Sequence, residues 1–205
     1  TRPPLLNGEN GVSQKSDGAG NASHYYSLTR MKTTGTVTVE GTAYPVSGLS
    51  WLDREWATNQ LSAEQVGWDW LSLHLSDGSD LMLYQLRRKD GSADEFSSGT
   101  WLAADGITSR HLKRGDFTMT PVPGRTWTSA GSGGRYPTAW RIEIPGESLA
   151  VQVAAVLPDQ ELALSPVAYW EGAVDVAGTR SGQPLTGEGY LEMTGYSGPL
   201  QALKQ

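Results

Sequence analysis

Apolar and polar residues alternate with a period of two along most of this chain, most clearly where Leu71, Leu73 and Leu75 are set against Ser72, His74 and Ser76. Such alternation predicts a strand with one buried face. Asp77-Gly78 then supplies a tight turn and Leu81-Met82-Leu83-Tyr84 returns, which predicts a hairpin. Asp90-Gly91 and Asp105-Gly106 read as two more hairpin turns. The same pattern, rich in β-branched and aromatic residues, predicts strands over residues 24–31, 34–40, 67–76, 80–88, 97–103, 116–121, 125–129, 138–144, 149–156, 168–177 and 187–195. Helical periodicity is confined to residues 61–66, where a short helix is expected. With 25 glycines and 11 prolines in 205 residues, this spacing predicts an all-β fold, an antiparallel barrel or sandwich. Residues 1–23 carry neither period and read as an extended N-terminal arm or linker ahead of one β domain over residues 24–205.

Composition removes several classes of function. The net charge is −6 and the Lys and Arg residues are scattered, so no nucleic-acid partner is expected. The absence of cysteine excludes disulfides, thiolate nucleophiles and cysteine-based metal sites. The three histidines, His24, His74 and His111, lack the spacing of a metal site, so no metal is expected. His111 sits in the basic run 110–114, expected on a solvated loop, and the glycine-rich stretch 130–134 is expected as a flexible loop. No phosphate-cradling or dinucleotide motif precedes a helix, no Gly-x-Ser-x-Gly elbow is present, and no cofactor is expected.

Candidate chemistry gathers in Trp51-Leu52-Asp53-Arg54-Glu55-Trp56 and Gly67-Trp68-Asp69-Trp70, which hold four of the eight tryptophans and three carboxylates. If the first segment is extended, Trp51, Asp53 and Glu55 share one face, and Arg54 and Trp56 the other. A carboxyl seated beside an indole loses hydration, and desolvation turns it into a usable general acid. The alternative is structural, with Asp53 and Glu55 paired to Arg54, Arg30 or a backbone amide. In the second segment Asp69 shares the Leu71 face while Trp68 and Trp70 share the His74 face. If the Trp and His face lines a barrel lumen, the walls suit a large apolar ligand; otherwise Trp68 and Trp70 are packing. Tyr26 and Arg30 share a face of the strand 24–31, and Tyr169, Glu171, Tyr190 and Glu192 repeat the mixture of aromatic and acid near the C-terminus. Converging faces would gather these residues, with Tyr84 from the returning hairpin, around one interior.

The chain resembles the carotenoid 1,2-hydratase and AttH-like family, also called hydroxyneurosporene synthase-like or lipocalin-like. The resemblance is carried by Gly20-Asn21-Ala22-Ser23, Tyr25-Tyr26-Ser27-Leu28-Thr29-Arg30, Gly48 to Trp56, Gly67-Trp68-Asp69-Trp70, Leu81-Met82-Leu83-Tyr84, Asp159-Gln160-Glu161-Leu162, Tyr169-Trp170-Glu171-Gly172 and Gly187 to Tyr196. It implies a lipocalin-like antiparallel β-barrel, the C-terminal half of a two-barrel protein, with an N-terminal barrel of the same family as partner. It implies an isoprenoid- or lipid-like apolar ligand and, in hydratases, Asp53 as the proton donor, with no cofactor. Trp51, Trp56, Tyr26 or Tyr169 would then steady a carbocation, and Glu55 or Glu171 would position water. Glu55-Trp56 stands where the carotenoid hydratases tend to Asn-Trp, which places the chain nearer the AttH-like branch. Two other readings are a carrier of hydrophobic ligands serving a membrane-associated export system, and a pericyclase of natural-product biosynthesis.

Overall fold

The computed structural model describes residues 2–57, 61–164, 167–198 and 200. Its strands are β1 (Leu5–Leu6), β2 (Val12–Gln14), β3 (Ala22–Val39), β4 (Thr42–Trp56), β5 (Gln65–Leu75), β6 (Asp80–Arg88), β7 (Ser98–Leu102) and β8 (Ser109–Lys113). They continue with β9 (Thr118–Pro121), β10 (Thr126–Thr128), β11 (Arg135–Pro137), β12 (Ala139–Ile144), β13 (Leu149–Ala155), β14 (Glu161–Leu164), β15 (Val167–Arg180) and β16 (Gln183–Thr194). The tail 201–205 of the expected domain lies outside the described residues.

One ten-stranded antiparallel sheet runs β8-β7-β6-β5-β16-β15-β13-β12-β9, with β14 beside β15. Only residues 114–117 join its two edge strands, β8 and β9, so the sheet must roll until those edges stand close. The roll is not closed, since no ladder joins β8 to β9 among the described residues. The lipocalin-like all-β expectation therefore holds as an open, rolled sheet instead of a sealed barrel.

The predicted Asp-Gly turns share one mechanism. Asp77, Asp90 and Asp105 each accept a backbone N–H two residues on through Oδ1, from Ser79, Ser92 and Ile107 at 2.9, 2.9 and 2.8 Å. The glycines that follow take φ of 89°, 83° and 70°, which side chains rarely adopt. A fourth turn, Glu40-Gly41, escaped the sequence reading. Both residues have positive φ, 49° and 80°, and they join Val39 to Thr42 as a two-residue turn between β3 and β4. The predicted strands 24–31 and 34–40 are consequently one long strand with a bulge between Leu28 and Met31.

Three further expectations are corrected. Residues 61–64 lead through a turn into β5, which takes in Gln65 and Val66, so no helix forms, and Gln65 closes the turn by accepting the Ser62 N–H at 2.9 Å. His111 lies within β8, its Nε2 2.8 Å from Ser98 Oγ, so it is not on a loop. The loop 130–134 is fastened, because Ser129, Ser132 and Tyr136 all donate to Glu161. The arm is likewise pinned: β1 and β2 pair with β3, and Leu5 and Ser13 are buried.

The interior of the roll is filled. Leu71, Leu73, Leu81, Leu83, Trp140, Ile142, Val153, Trp170, Leu191 and Met193 pack there as one core, with almost no exposure. Asp69 points inward with the leucines and is answered by Arg87 Nη1 at 2.5 Å and the Tyr196 hydroxyl at 2.9 Å. Gly67 makes room for this group, since a Cβ would lie 2.4 Å from the Thr194 carbonyl and 2.8 Å from Arg87. Trp68, Trp70 and His74 therefore face outward, against the second sheet of β1 to β4, and do not line the interior of the roll.

Asp80 ties that second sheet to the large one. It is fully buried and accepts from Arg2 Nη1 at 2.6 Å and Arg30 Nε at 2.7 Å. Removing one member of a buried charge set leaves the others unpaired. Asp80→Ala is expected to lower unfolding free energy by about 3 kcal/mol, the low end of the range because both guanidiniums reach water. Urea denaturation checks this, with Asp90→Ala, on an exposed turn, as the milder comparison.

Candidate functional site

The β3–β4 ribbon lies across the outer faces of β5, β6 and β16, and between them runs a cleft with two hollows. One, of about 280 Å³, has Lys15, Tyr25, Glu55, Trp68 and Tyr84 in its walls. The other, of about 670 Å³, is lined by Leu49, Trp51, His74, Val174 and Tyr190 among others. Asp53, Trp70 and Glu192 belong to both, so they form the waist where the hollows meet.

Strand alternation explains who reaches the cleft. On β4, Trp51, Asp53 and Glu55 face it, as the extended reading requires, while Leu52 and Arg54 face out. On β3 the inward residues are Ser23, Tyr25, Ser27 and Thr29, all buried. Tyr26 is on the other side, 6.4 Å edge-on from Trp56, away from both hollows. Arg30 is also elsewhere, bound to Asp80 and to the carbonyls of Leu75 and Ser79. Trp56 stands at the rim, half exposed, with His24 5.4 Å away. Tyr169 packs edge-on against Trp68 at 6.3 Å, and Glu171 accepts from the Tyr190 hydroxyl at 3.3 Å; neither lines a hollow.

Asp53 is met by three donors. Trp51 Nε1 and Ser27 Oγ each donate to Oδ1 at 2.6 Å, and the Tyr25 hydroxyl donates to Oδ2. The direction of both hydroxyl bonds is forced from behind. Trp70 Nε1 donates to the Tyr25 oxygen at 2.9 Å, and Asn7 Nδ2 donates to Ser27 Oγ at 2.8 Å, so each hydroxyl hydrogen turns to Asp53. Burial lifts the Asp53 carboxyl above its ordinary range, and the donors from Ser27, Tyr25 and Trp51 oppose that rise. Burial next to Asp53 also holds the Tyr25 phenol well above its usual range, so it stays a donor.

The other carboxylates differ. Glu55 accepts from Ser23 and pairs with Lys15 Nζ at 2.8 Å. Lys15 lies 3.7 Å over the Tyr84 ring; burial pulls its ammonium down, but Tyr84 and Glu55 outweigh that and hold it up. Glu192 accepts only the Trp68 Nε1–H, at 2.5 Å, among the described residues. Burial first, then Glu171, Asp53 and Glu55, push its carboxyl up to about 7 against that single donor. Among the described residues neither Asp53 nor Glu55 pairs with Arg30 or Arg54; Arg30 is bound to Asp80, and Glu55 takes Lys15 instead.

Sequence reasoning missed Tyr25, Lys15, Ser27 and Asn7. The signal for Tyr25 was its parity with Ser27 and Thr29, a face of hydroxyl residues opposite that of Tyr26, Leu28 and Arg30. No local signal marks Lys15 or Asn7, because arm residues reach the cleft only through pairing with β3. Among the described residues no group of three acids or histidines could hold a metal ion.

Comparison with known proteins gives this geometry a family. A family model described as AttH-like matches residues 1–196. Kievitone hydratase of Fusarium solani subsp. phaseoli is 25% identical over 174 residues, covering 82% of this chain and 48% of that enzyme. Dehydratase asqC of Emericella nidulans is 26% identical over 202 residues, 94% of this chain and 55% of that enzyme. The chain thus spans about half the length of these relatives. A crystal structure of an AttH-type protein from Nitrosomonas europaea superimposes with a TM-score of 0.85 at 41% identity, over 96% of this chain and 59% of that one. With the match running through 196 of its residues, the chain belongs to the AttH-like family.

Proposed function

We propose that the cleft adds water to, or removes it from, a neutral, apolar, unsaturated ligand of isoprenoid or prenylated type, by proton transfer at the waist. One observation carries the reading: three forced donors converge on Asp53 in an aromatic-walled cleft open to both hollows. A carboxylate so held is a fixed negative charge, and the indoles of Trp51 and Trp70 in the same walls suit a cation that forms and vanishes during turnover. Hydratase and dehydratase relatives are consistent with that chemistry in either direction.

The charge of the cleft narrows the ligand. Asp53, Glu55, Asp175, Glu188 and Glu192 line it, against Lys15, which Glu55 already occupies. A diphosphate ester or a fatty-acid carboxylate would meet net negative charge. The partner expected from the resemblance, a second barrel of the family, suits the length by which the relatives exceed this chain. It also suits the apolar outer face of the ribbon, where Val37, Val39, Tyr44 and Val46 are 41–53% exposed.

Asp53→Asn keeps the shape and removes the charge. Turnover of a prenylated alkene or its hydrate is expected to fall by roughly 10²–10⁴-fold while the protein still folds and binds the ligand, with Tm lowered because the Asn amide meets a donor that the carboxylate accepted. A binding protein without chemistry would show binding and no conversion in either form. Tryptophan fluorescence titration provides the second check. A neutral terpenoid alcohol is expected to bind at least about tenfold more tightly than a fatty acid of equal length, one like-charge contact costing roughly 1.4 kcal/mol. Equal affinity would contradict the assigned ligand class.

A further inference from the structure

The carboxylates of the cleft are not equivalent, and the donors aimed at them say which one holds a proton. Asp53 has three donors and Glu55 has a hydroxyl and an ammonium. Both are supplied as anions. Glu192 has one indole N–H on Oε1, and Oε2 has no partner among the described residues.

Among the described residues no Lys or Arg pairs with Glu192. Glu171 lies directly across the ladder on β15, while Asp53 and Glu55 face it from β4. The phenols of Tyr169 and Tyr190 are held up by burial and by Glu171 and Glu192. Lys15 is taken by Glu55, and His74 Nε2 donates to the Thr29 carbonyl at 2.5 Å. A carboxylate with one donor, facing three others in a partly dry cleft, lowers its energy by binding a proton, and Oε2 is the free position for it.

We propose that Glu192 carries and delivers the proton of this site, with Asp53 as the fixed carboxylate that faces the resulting cation and takes up the proton from water. Delivery rests on the hydro-lyase reading above. In hydration the O–H bond of Glu192 breaks and its proton forms a C–H bond with one alkene carbon. The π electrons leave a cation on the neighbouring carbon, beside the Trp51 and Trp70 indoles. Water forms the C–O bond and passes its extra proton to Asp53. Exchange with solvent resets both acids, and dehydration runs the same steps in reverse. The balance is alkene plus water to alcohol, with no oxidant or reductant.

The working form has Glu192 protonated and Asp53 ionised. Turnover therefore falls as pH rises through Glu192's value, about 7, and falls again as pH drops through that of Asp53. The direct test follows the Trp68 indole N–H by NMR in protein labelled with 15N at tryptophan, the signal assigned through Trp68→Phe. Its shift is expected to titrate with a midpoint of about 7, to stop titrating in Glu192→Gln, and to titrate lower in Asp53→Asn, which loses a like charge. Should Glu192→Gln not fold, the wild-type infrared difference spectrum between about pH 6 and about pH 8.5 is expected to lose a protonated-carboxyl C=O stretch. A midpoint in the ordinary carboxylate range, a titration that survives Glu192→Gln, or no such stretch overturns the assignment. With a convertible prenylated alkene, Glu192→Gln is expected to cut kcat by roughly 10²-fold or more, leave KM unchanged and abolish the alkaline limb of the pH profile. Unaltered kcat overturns delivery. An inactive wild type overturns the hydro-lyase reading and delivery with it, while the Trp68 titration still decides which carboxyl holds the proton.

Discussion

The site depends on one electrostatic obligation: a carboxylate drawn away from water must be given donors. Asp53 meets it with Trp51 from its own strand, Ser27 and Tyr25 from β3, and behind these Asn7 from the arm and Trp70 from the large sheet. These contacts run from arm to ribbon to rolled sheet through a single side chain. They fix the height of the ribbon above β5 and hence the cleft's width. Separately, Asp80 anchors the same two sheets near the β5–β6 turn, while Asp53 lies open to both hollows.

The location of the cleft follows from the two faces of β5. Leu71, Leu73 and Leu75 fill the roll at no more than 2% exposure, packed in one core with Trp140, Trp170 and Leu191. The opposite face carries Trp68, Trp70 and His74, which a rolled sheet presents outward. Covering that face with a ribbon instead of a solid layer leaves gaps, and the gaps collect the acids of β4 and β16. Gly187 and Gly189 let β16 approach closely enough to hold Glu192 beside Trp70, since a Cβ at Gly189 would lie 2.0 Å from the Ser72 carbonyl.

Much of this was legible in the sequence, and the limits are physical. Alternation and Asp-Gly turns marked most of the large sheet, because period and turn chemistry are local. Extension of residues 51–56 placed Trp51, Asp53 and Glu55 together. Which face of a strand points inward is not local: the sequence left Trp68 and Trp70 open between lining a lumen and packing, and the structure gives leucines the interior and indoles the cleft. Tyr26 and Tyr25 differ by one position, and only the β3–β4 register, which seats Tyr25 opposite Glu55, decides between them. Arg30 looked like a ligand contact and is a clasp, because its partner Asp80 lies 50 residues away in the chain.

The central claim is that the ligand lies outside the roll, at the waist between ribbon and sheet. The most direct measurement is a crystal structure with a bromine-labelled prenylated phenol, located by its anomalous signal. The account predicts bromine in the cleft, against Trp70 and between Asp53 and Glu192. Bromine inside the roll among Leu71, Trp140 and Ile142, or only on the outer ribbon face at Val37 and Tyr44, would contradict it.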